Sequence, residues 1–143
     1  IQSTFLVPAG SPIRTIAEVD RPGVRVATKA RAAYSLWLEN NLKHAELVEA
    51  DTIDASFDLF VEQGLDALAG LKPRLLSDVE RLPGARILDG QFSAVQQAIG
   101  TPRANEKAAA WLADVVEELK ASGFVAGLID KHAVKGLSVA PPA

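Results

Sequence analysis

Two basic side chains, Lys29 and Arg31, stand where the sequence changes period. Before them, Val24, Val26 and Thr28 alternate with Arg25 and Ala27. β-branched residues in alternation favour a strand over 24–28. After them, Ala32, Ala33, Leu36, Trp37 and Leu38 recur at helical spacing. A strand that feeds a helix this directly presents the first helical N–H groups, which lack internal partners and carry the positive end of the helix dipole. Lys29 and Arg31 add two full charges to the same few residues. That combination suits the rim of a pocket for an anionic or polar small molecule, above all a carboxylate. It also reads as an ordinary strand-to-helix turn with two solvated bases, and the local sequence leaves both readings open.

Other chemistry is thinner. The phosphate-cradling patterns GxGxxG and GxxxxGK[ST] do not occur, nor does GxSxG. His44 and His132 fall near a helix end and in a polar terminal stretch, without metal-ligand spacing, so no metal and no cofactor is expected. Asp51, Asp54 and Asp58 lie on or before one helix, where capping and solvation account for them. Asp66 differs, because an acid set among apolar strand residues must be paired or hydrogen-bonded. It reads as a structural bond to a neighbouring turn or as a ligand contact. Tyr34, one turn into the helix, suits either the core or a cleft, whereas Trp37 reads as core. The adjacent Gln96 and Gln97 face opposite ways, and they read as solvent-facing or backbone-paired residues or, for one of them, as a donor to a ligand. Nowhere do a nucleophile, a base and an orienting group assemble, which argues against an enzyme.

Composition sets the frame. The chain has 143 residues, 48% hydrophobic and 23% charged, as in a single globular domain. Its net charge of -3 leaves no broad basic field for nucleic acid. There is no run of 18 apolar residues and no leader of basic-then-apolar type at IQSTFLVPAG. Cysteine is absent, which removes disulfides and thiolate chemistry. Methionine is absent too, even at position 1, so the chain is expected to be a piece of something longer.

The positioning elements follow in order. Strands are predicted at 4–8, 24–28, 45–49, 65–69 and 85–88, with an extended stretch at 93–99. Helices are predicted at 13–19, behind a Ser11 cap and Pro12, then from 32 to about 42, at 53–63 and at 74–81. The longest helix spans 105–121, and an amphipathic one follows at 124–131. Short strands alternating with helices predict an α/β fold, a doubly wound, mostly parallel sheet with flanking helices. Ligands of such sheets sit beyond the strand C-termini. The candidate ligand-binding residues are then Thr28, Lys29, Arg31 and Ala32 in one turn, and Gly70, Leu71 and Lys72 in another. Tyr34 and Gln96 are added to that set. The two turns become neighbours if their strands are adjacent.

The order of segments also resembles a known family. SPIRTIAEVDRPGVRVATKARAAYSLWL is similar to the opening of the second lobe in extracellular solute-binding proteins of family 3. LVEADTIDASFDLFVEQGLDALAG and ARILDGQFSAVQQAIGTPRANEKAAAWLADVVEELKASGFVAGLIDKH resemble the passages that follow there. Each motif is weak singly; the order covers nearly the whole chain. The resemblance implies the periplasmic binding protein type II fold, in which two α/β lobes close on a solute and hand it to an ABC-type membrane permease. It implies a periplasmic or extracellular location. Residues 5–98 would be the ligand-binding lobe with hinge crossings at TFLVP and VQQAI, and 99–143 the C-terminal helices that pack on a first lobe not included here. The same fold occurs as a sensor module in receptors, and a scaffold without ligand is a third reading.

Two positions depart from the family pattern. Its first turn usually carries Gly followed by Ser or Thr, which hold an amino acid's carboxylate; here Arg31 and Ala32 stand there. Its acid for the ammonium group usually lies five residues after the aspartate that matches Asp66, which gives Leu71. The expectation is a small polar or anionic solute other than a standard amino acid, with Arg31 or Lys29 as charge partner. The apolar face of the 105–121 helix is expected to drive self-association, through a segment-swapped dimer.

Overall fold

The computed structural model describes residues 1–143. The chain divides into two compact units, Ile1–Val95 and Gln96–Ala143.

The first unit is a six-stranded sheet between helices. Its strands are β1 Gln2–Val7, β2 Arg25–Lys29, β3 Glu46–Ala50, β4 Ala67–Leu71, β5 Arg86–Ile87 and β6 Ser93–Ala94. They lie in the order β3-β2-β4-β1-β5, with β6 also paired to β1. β2 is parallel to β3 and to β4, while β1 is antiparallel to β4, β5 and β6. Five strands therefore point one way and β1 alone runs back. The C-terminal ends of β2, β3 and β4 share one edge of the sheet with the start of β1 and with β6, whereas β5 pairs with the end of β1.

Alternation along the strands builds two cores. Phe5, Val7, Val26, Ala67 and Ala69 face helix α1, Ala33–Asn41, where Tyr34 and Leu38 meet them. Leu6, Ala27 and Leu68 face the other way, against Phe57 and Phe60 of α2, Ile53–Glu62, and Leu75 of α3, Lys72–Val79. β4 lies mid-sheet and is buried on both faces, hence its nearly all-apolar ALAGL. Full burial of a side chain such as Leu6 or Leu38 is worth about 2 kcal/mol.

Charged groups tie the helices to each other. Arg74 of α3 donates from Nε to both Asp78 oxygens, at 2.9 and 3.0 Å, and from its other arm to Asp54 of α2 at 2.7 Å. Arg81 lies 4.0 Å over the Phe57 ring. At the opposite end of the sheet, the Asp20 carboxylate accepts the consecutive N–H groups of Lys43, His44 and Ala45. Those bonds fasten the loop between α1 and β3.

Several segment boundaries differ from expectation, β1 among them, which starts at Gln2 rather than Thr4 and ends before Pro8. The 13–19 segment forms only a single 3-10 turn, Ile16–Glu18. The Ser11 hydroxyl does accept from Ile13 N, but Glu18 then takes the N–H groups of Arg14 and Thr15, which closes the turn on itself. The 65–69 strand slides to Ala67–Leu71, because Leu65 N closes the end of α2 on Phe60 O. With Gly70 and Leu71 in the strand, the next helix starts at Lys72 rather than 74, and Pro73 sits in its first turn, where no N–H is needed. The extended 93–99 stretch pairs only at Ser93–Ala94.

The second unit contains α4, Glu106–Ala121, and α5, Phe124–Lys131. Gly123, at a φ of 78°, makes the left-handed turn between them. Neither helix has a fully buried residue. Trp111 and Phe124 are 63% and 54% exposed. No helix of the chain is long and apolar enough to cross a membrane.

Candidate functional site

The β2 and β4 ends stand side by side. Val26 pairs with Ala67 and Ala27 with Leu68 in parallel register, and continuing it sets Lys29 level with Gly70 and Ala30 with Leu71. The two turns singled out from the sequence are therefore neighbours at one edge.

The first turn is tight. Ala30 N donates to Ala50 O of β3 at 2.9 Å, and Ala32 N donates back to Lys29 O at 3.2 Å. Between them Arg31 adopts a φ of 61°, left-handed and strained for a residue with a Cβ. The Arg31 side chain is exposed to solvent. Lys29 is half-buried, and its ammonium donates to Ala30 O at 2.7 Å. Helix α1 then starts with Ala32 as its cap residue, and no side chain caps its first N–H groups. Helix α3 starts likewise after Leu71. By contrast, the Thr52 hydroxyl caps α2 through Ala55 N at 3.0 Å.

The second turn is short because β4 runs straight into α3. Lys72, half-buried, donates to the Gln2 side-chain oxygen at 3.0 Å across β1. Gly70 owes its type to packing: a Cβ there would come within 3.0 Å of Leu75 Cδ2. Thr28 and Ser3 are fully buried on the α1 side of the sheet, and neither hydroxyl has a hydrogen-bond partner.

A cavity of about 30 Å³ opens over the end of β4, between Tyr34, Ser56, Leu71, Arg74 and Asp78. That is room for a water or two, so a solute would rest on the open rim above it. Tyr34 is 5% exposed and belongs to the core while forming a wall of this cavity, and burial raises its phenol above the ordinary range. Trp37 is not core: it is 36% exposed and leans on Phe92, with ring centroids 5.4 Å apart. Gln96 is exposed and belongs to the second unit. Asp66 makes the structural bond, accepting from Arg25 N at 2.8 Å.

Two groups escaped the sequence reading. The Arg74–Asp78 pair was visible as an i,i+4 spacing. The Asp20 clamp has no local signal, because its partners lie 23 to 25 residues on.

An apolar groove of about 330 Å³ lies at the other end of the sheet, lined by residues such as Phe60, Val61 and Leu82. It brings no charged side chain to bear and sits away from the turns.

No family model matches the chain, and no curated protein matches it in sequence. Solved structures do. A mutant of ArgBP from T. maritima is similar over 91% of this chain, with a TM-score of 0.67 and 21% identity. The substrate binding protein of an amino acid ABC transporter is similar over 91%, with a TM-score of 0.68 and 18% identity. An ancestral cyclohexadienyl dehydratase is similar over 91%, with a TM-score of 0.56 and 18% identity, so the fold also carries enzymes. The chain spans 56%, 58% and 56% of the length of these three proteins. Strand order, edge geometry and these likenesses agree: the chain has the periplasmic binding protein type II fold, in the part that makes up one lobe of it.

Proposed function

We propose that the chain is the ligand-binding lobe of a solute-binding protein, holding a small polar or anionic solute for an ABC-type uptake system. The observation that carries this reading is the convergence of β2 and β4 on one edge, where two uncapped helix N-termini stand beside Lys29, Arg31 and Lys72. Backbone N–H groups at helix starts bind anions, and flanking cations reinforce them. Thr28, Ala32, Tyr34, Gly70 and Leu71 shape the surface between the charges. Two of the similar structures named above are ArgBP and the substrate binding protein of an amino acid ABC transporter, which supports binding over turnover. The periplasm or the cell exterior is the matching location. The second unit supplies a surface for self-association, since its helices bury no residue fully.

The test is an NMR titration of the isotope-labelled chain with a pool of small polar metabolites. Saturable shifts confined to amides of residues 28–34 and 70–74 are expected. Shifts centred on the apolar groove around Phe60 and Leu82 overturn the reading.

A further inference from the structure

Charge is distributed unevenly around the rim. Lys29 and Lys72 are half-buried, yet each ammonium finds only a neutral oxygen, that of Ala30 and of Gln2 respectively. A half-buried cation ordinarily gains a carboxylate, since desolvation without one is unfavourable. Elsewhere the chain follows that rule: Arg25 has Asp66, Arg74 has Asp54 and Asp78, and Lys120 has Glu117. Arg86 is the other exception, held by the Ser11 and Ile13 carbonyls. Acids are not scarce, since Asp and Glu number 18 against 15 Lys and Arg.

Of the acids on this edge, Asp78 lines the cavity over β4 and is paired with Arg74, and the others lie to the flanks. Asp51 and Asp54 follow β3, Asp54 being taken by Arg74, and Asp89 follows β5. Glu49 accepts from the Ser35 hydroxyl at 3.2 Å. Besides the Arg74–Asp78 pair in the cavity, the turns after β2 and β4 carry Lys29, Arg31 and Lys72, and none of these three makes an ion pair within the chain.

Resting on the solute-binding reading above, we infer that this rim takes a small dianion without an ammonium group, a short dicarboxylate, with one carboxylate beside Lys29 and Arg31 and the other beside Lys72. β2 and β4 lie about 4.8 Å apart, and the Lys72 ammonium reaches beyond β4 to Gln2 of β1, so the two anionic groups of the ligand would span more than one strand spacing. An ammonium on the solute would meet three unpaired cations and the apolar Leu71, because the acid lining the cavity, Asp78, is taken by Arg74. The missing counter-charges belong to the ligand.

The test compares three near-isosteric probes on the isotope-labelled chain by NMR: succinate, γ-aminobutyrate and succinamide. Succinate is expected to shift the amides of residues 29–34 and 71–74 saturably, with γ-aminobutyrate binding about tenfold more weakly and succinamide weaker still. Lys72→Gln is expected to weaken succinate about tenfold without altering succinamide, and Lys72→Arg to restore it. Equal or tighter binding of γ-aminobutyrate or succinamide at those amides overturns the dianion inference and leaves the solute-binding reading in place. No saturable shift there with any of the three overturns the inference. A Lys72→Gln chain that keeps its spectral dispersion and binds succinate unchanged also overturns it.

Discussion

Ala27 of β2 pairs with Leu68 of β4 in parallel register, and Lys29 and Gly70 each lie two residues further on along these neighbouring strands. That register also pairs Val26 with Ala67. It makes neighbours of two turns that lie some forty residues apart in sequence, and it gives the solute-binding reading its geometry. Lys29 supplies charge at this pair, whereas Gly70 supplies room for Leu75 beneath.

Gly70→Ala tests that division of labour. The new Cβ would stand 3.0 Å from Leu75 Cδ2 and 3.3 Å from its Cγ. Leu75 is fully buried and has little freedom to retreat, so the overpacking is expected to cost about 1 kcal/mol. Urea unfolding measures it. An unchanged midpoint would show that α3 yields to the extra methyl group.

Arg31 offers the opposite trade. Its φ of 61° is strained for arginine and free of strain for glycine. Arg31→Gly is expected to leave stability unchanged or raise it by up to about 1 kcal/mol, the relief of strain being offset by a more flexible unfolded chain. The same change is expected to weaken succinate binding. Thermal unfolding and the NMR titration, run on one sample, separate the two effects. A loss of stability without a loss of binding would assign Arg31 a structural role.

Asp20 and Asp78 give stability opposite dependences on pH. The N–H groups of Ala45 and His44 hold the Asp20 carboxyl below its ordinary range. Its contribution is therefore complete above the unfolded value and lost as pH falls through the lower folded one. Asp78 is pushed up by burial, with Arg74 opposing. For Asp78 the folded state favours the proton, so its contribution is present below the unfolded value and lost as pH rises through the folded one. Asp20→Ala is expected to lower the thermal midpoint at neutral pH and to flatten the decline below pH 4. Arg74→Ala strands the buried Asp78 charge and is expected to cost about 3 kcal/mol at neutral pH, with partial recovery in mild acid. Thermal unfolding across pH 3 to 8 reads both. A parallel shift of the two variants at every pH would refute the assignment.

These residues also show what a sequence can reveal. The alternation of Val24, Val26 and Thr28 and the helical spacing after Ala32 are local signals, and β2 and α1 follow them to within a residue or so. Local pattern places β4 two residues early because Gly70 reads as a turn. In the folded chain Leu75 occupies the space a side chain would need, and packing alone decides that. The 13–19 helix failed for a related reason, since Glu18 spends its carboxylate on Arg14 and Thr15 and closes a single turn. The rim was legible as two turns with cations. That Lys29 and Lys72 lack acids, and that Asp54 is taken by Arg74, depends on contacts between strands and helices far apart in sequence.

The second unit yields the last prediction. In α4, Leu112, Val115, Val116 and Leu119 are half-buried, whereas Trp111 is 63% exposed. In α5, Phe124 and Leu128 are 54% and 40% exposed. Large apolar side chains left in water favour association, because each one covered returns about 25 cal/mol per Å² of apolar area. Light scattering of the chain is expected to show a mass that rises with concentration. Trp111→Glu removes a large apolar surface and adds a charge at an exposed position, so it is expected to suppress the rise without altering the first unit's spectrum. A monomer at every concentration, or a rise that Trp111→Glu leaves intact, would place the association elsewhere or remove it altogether.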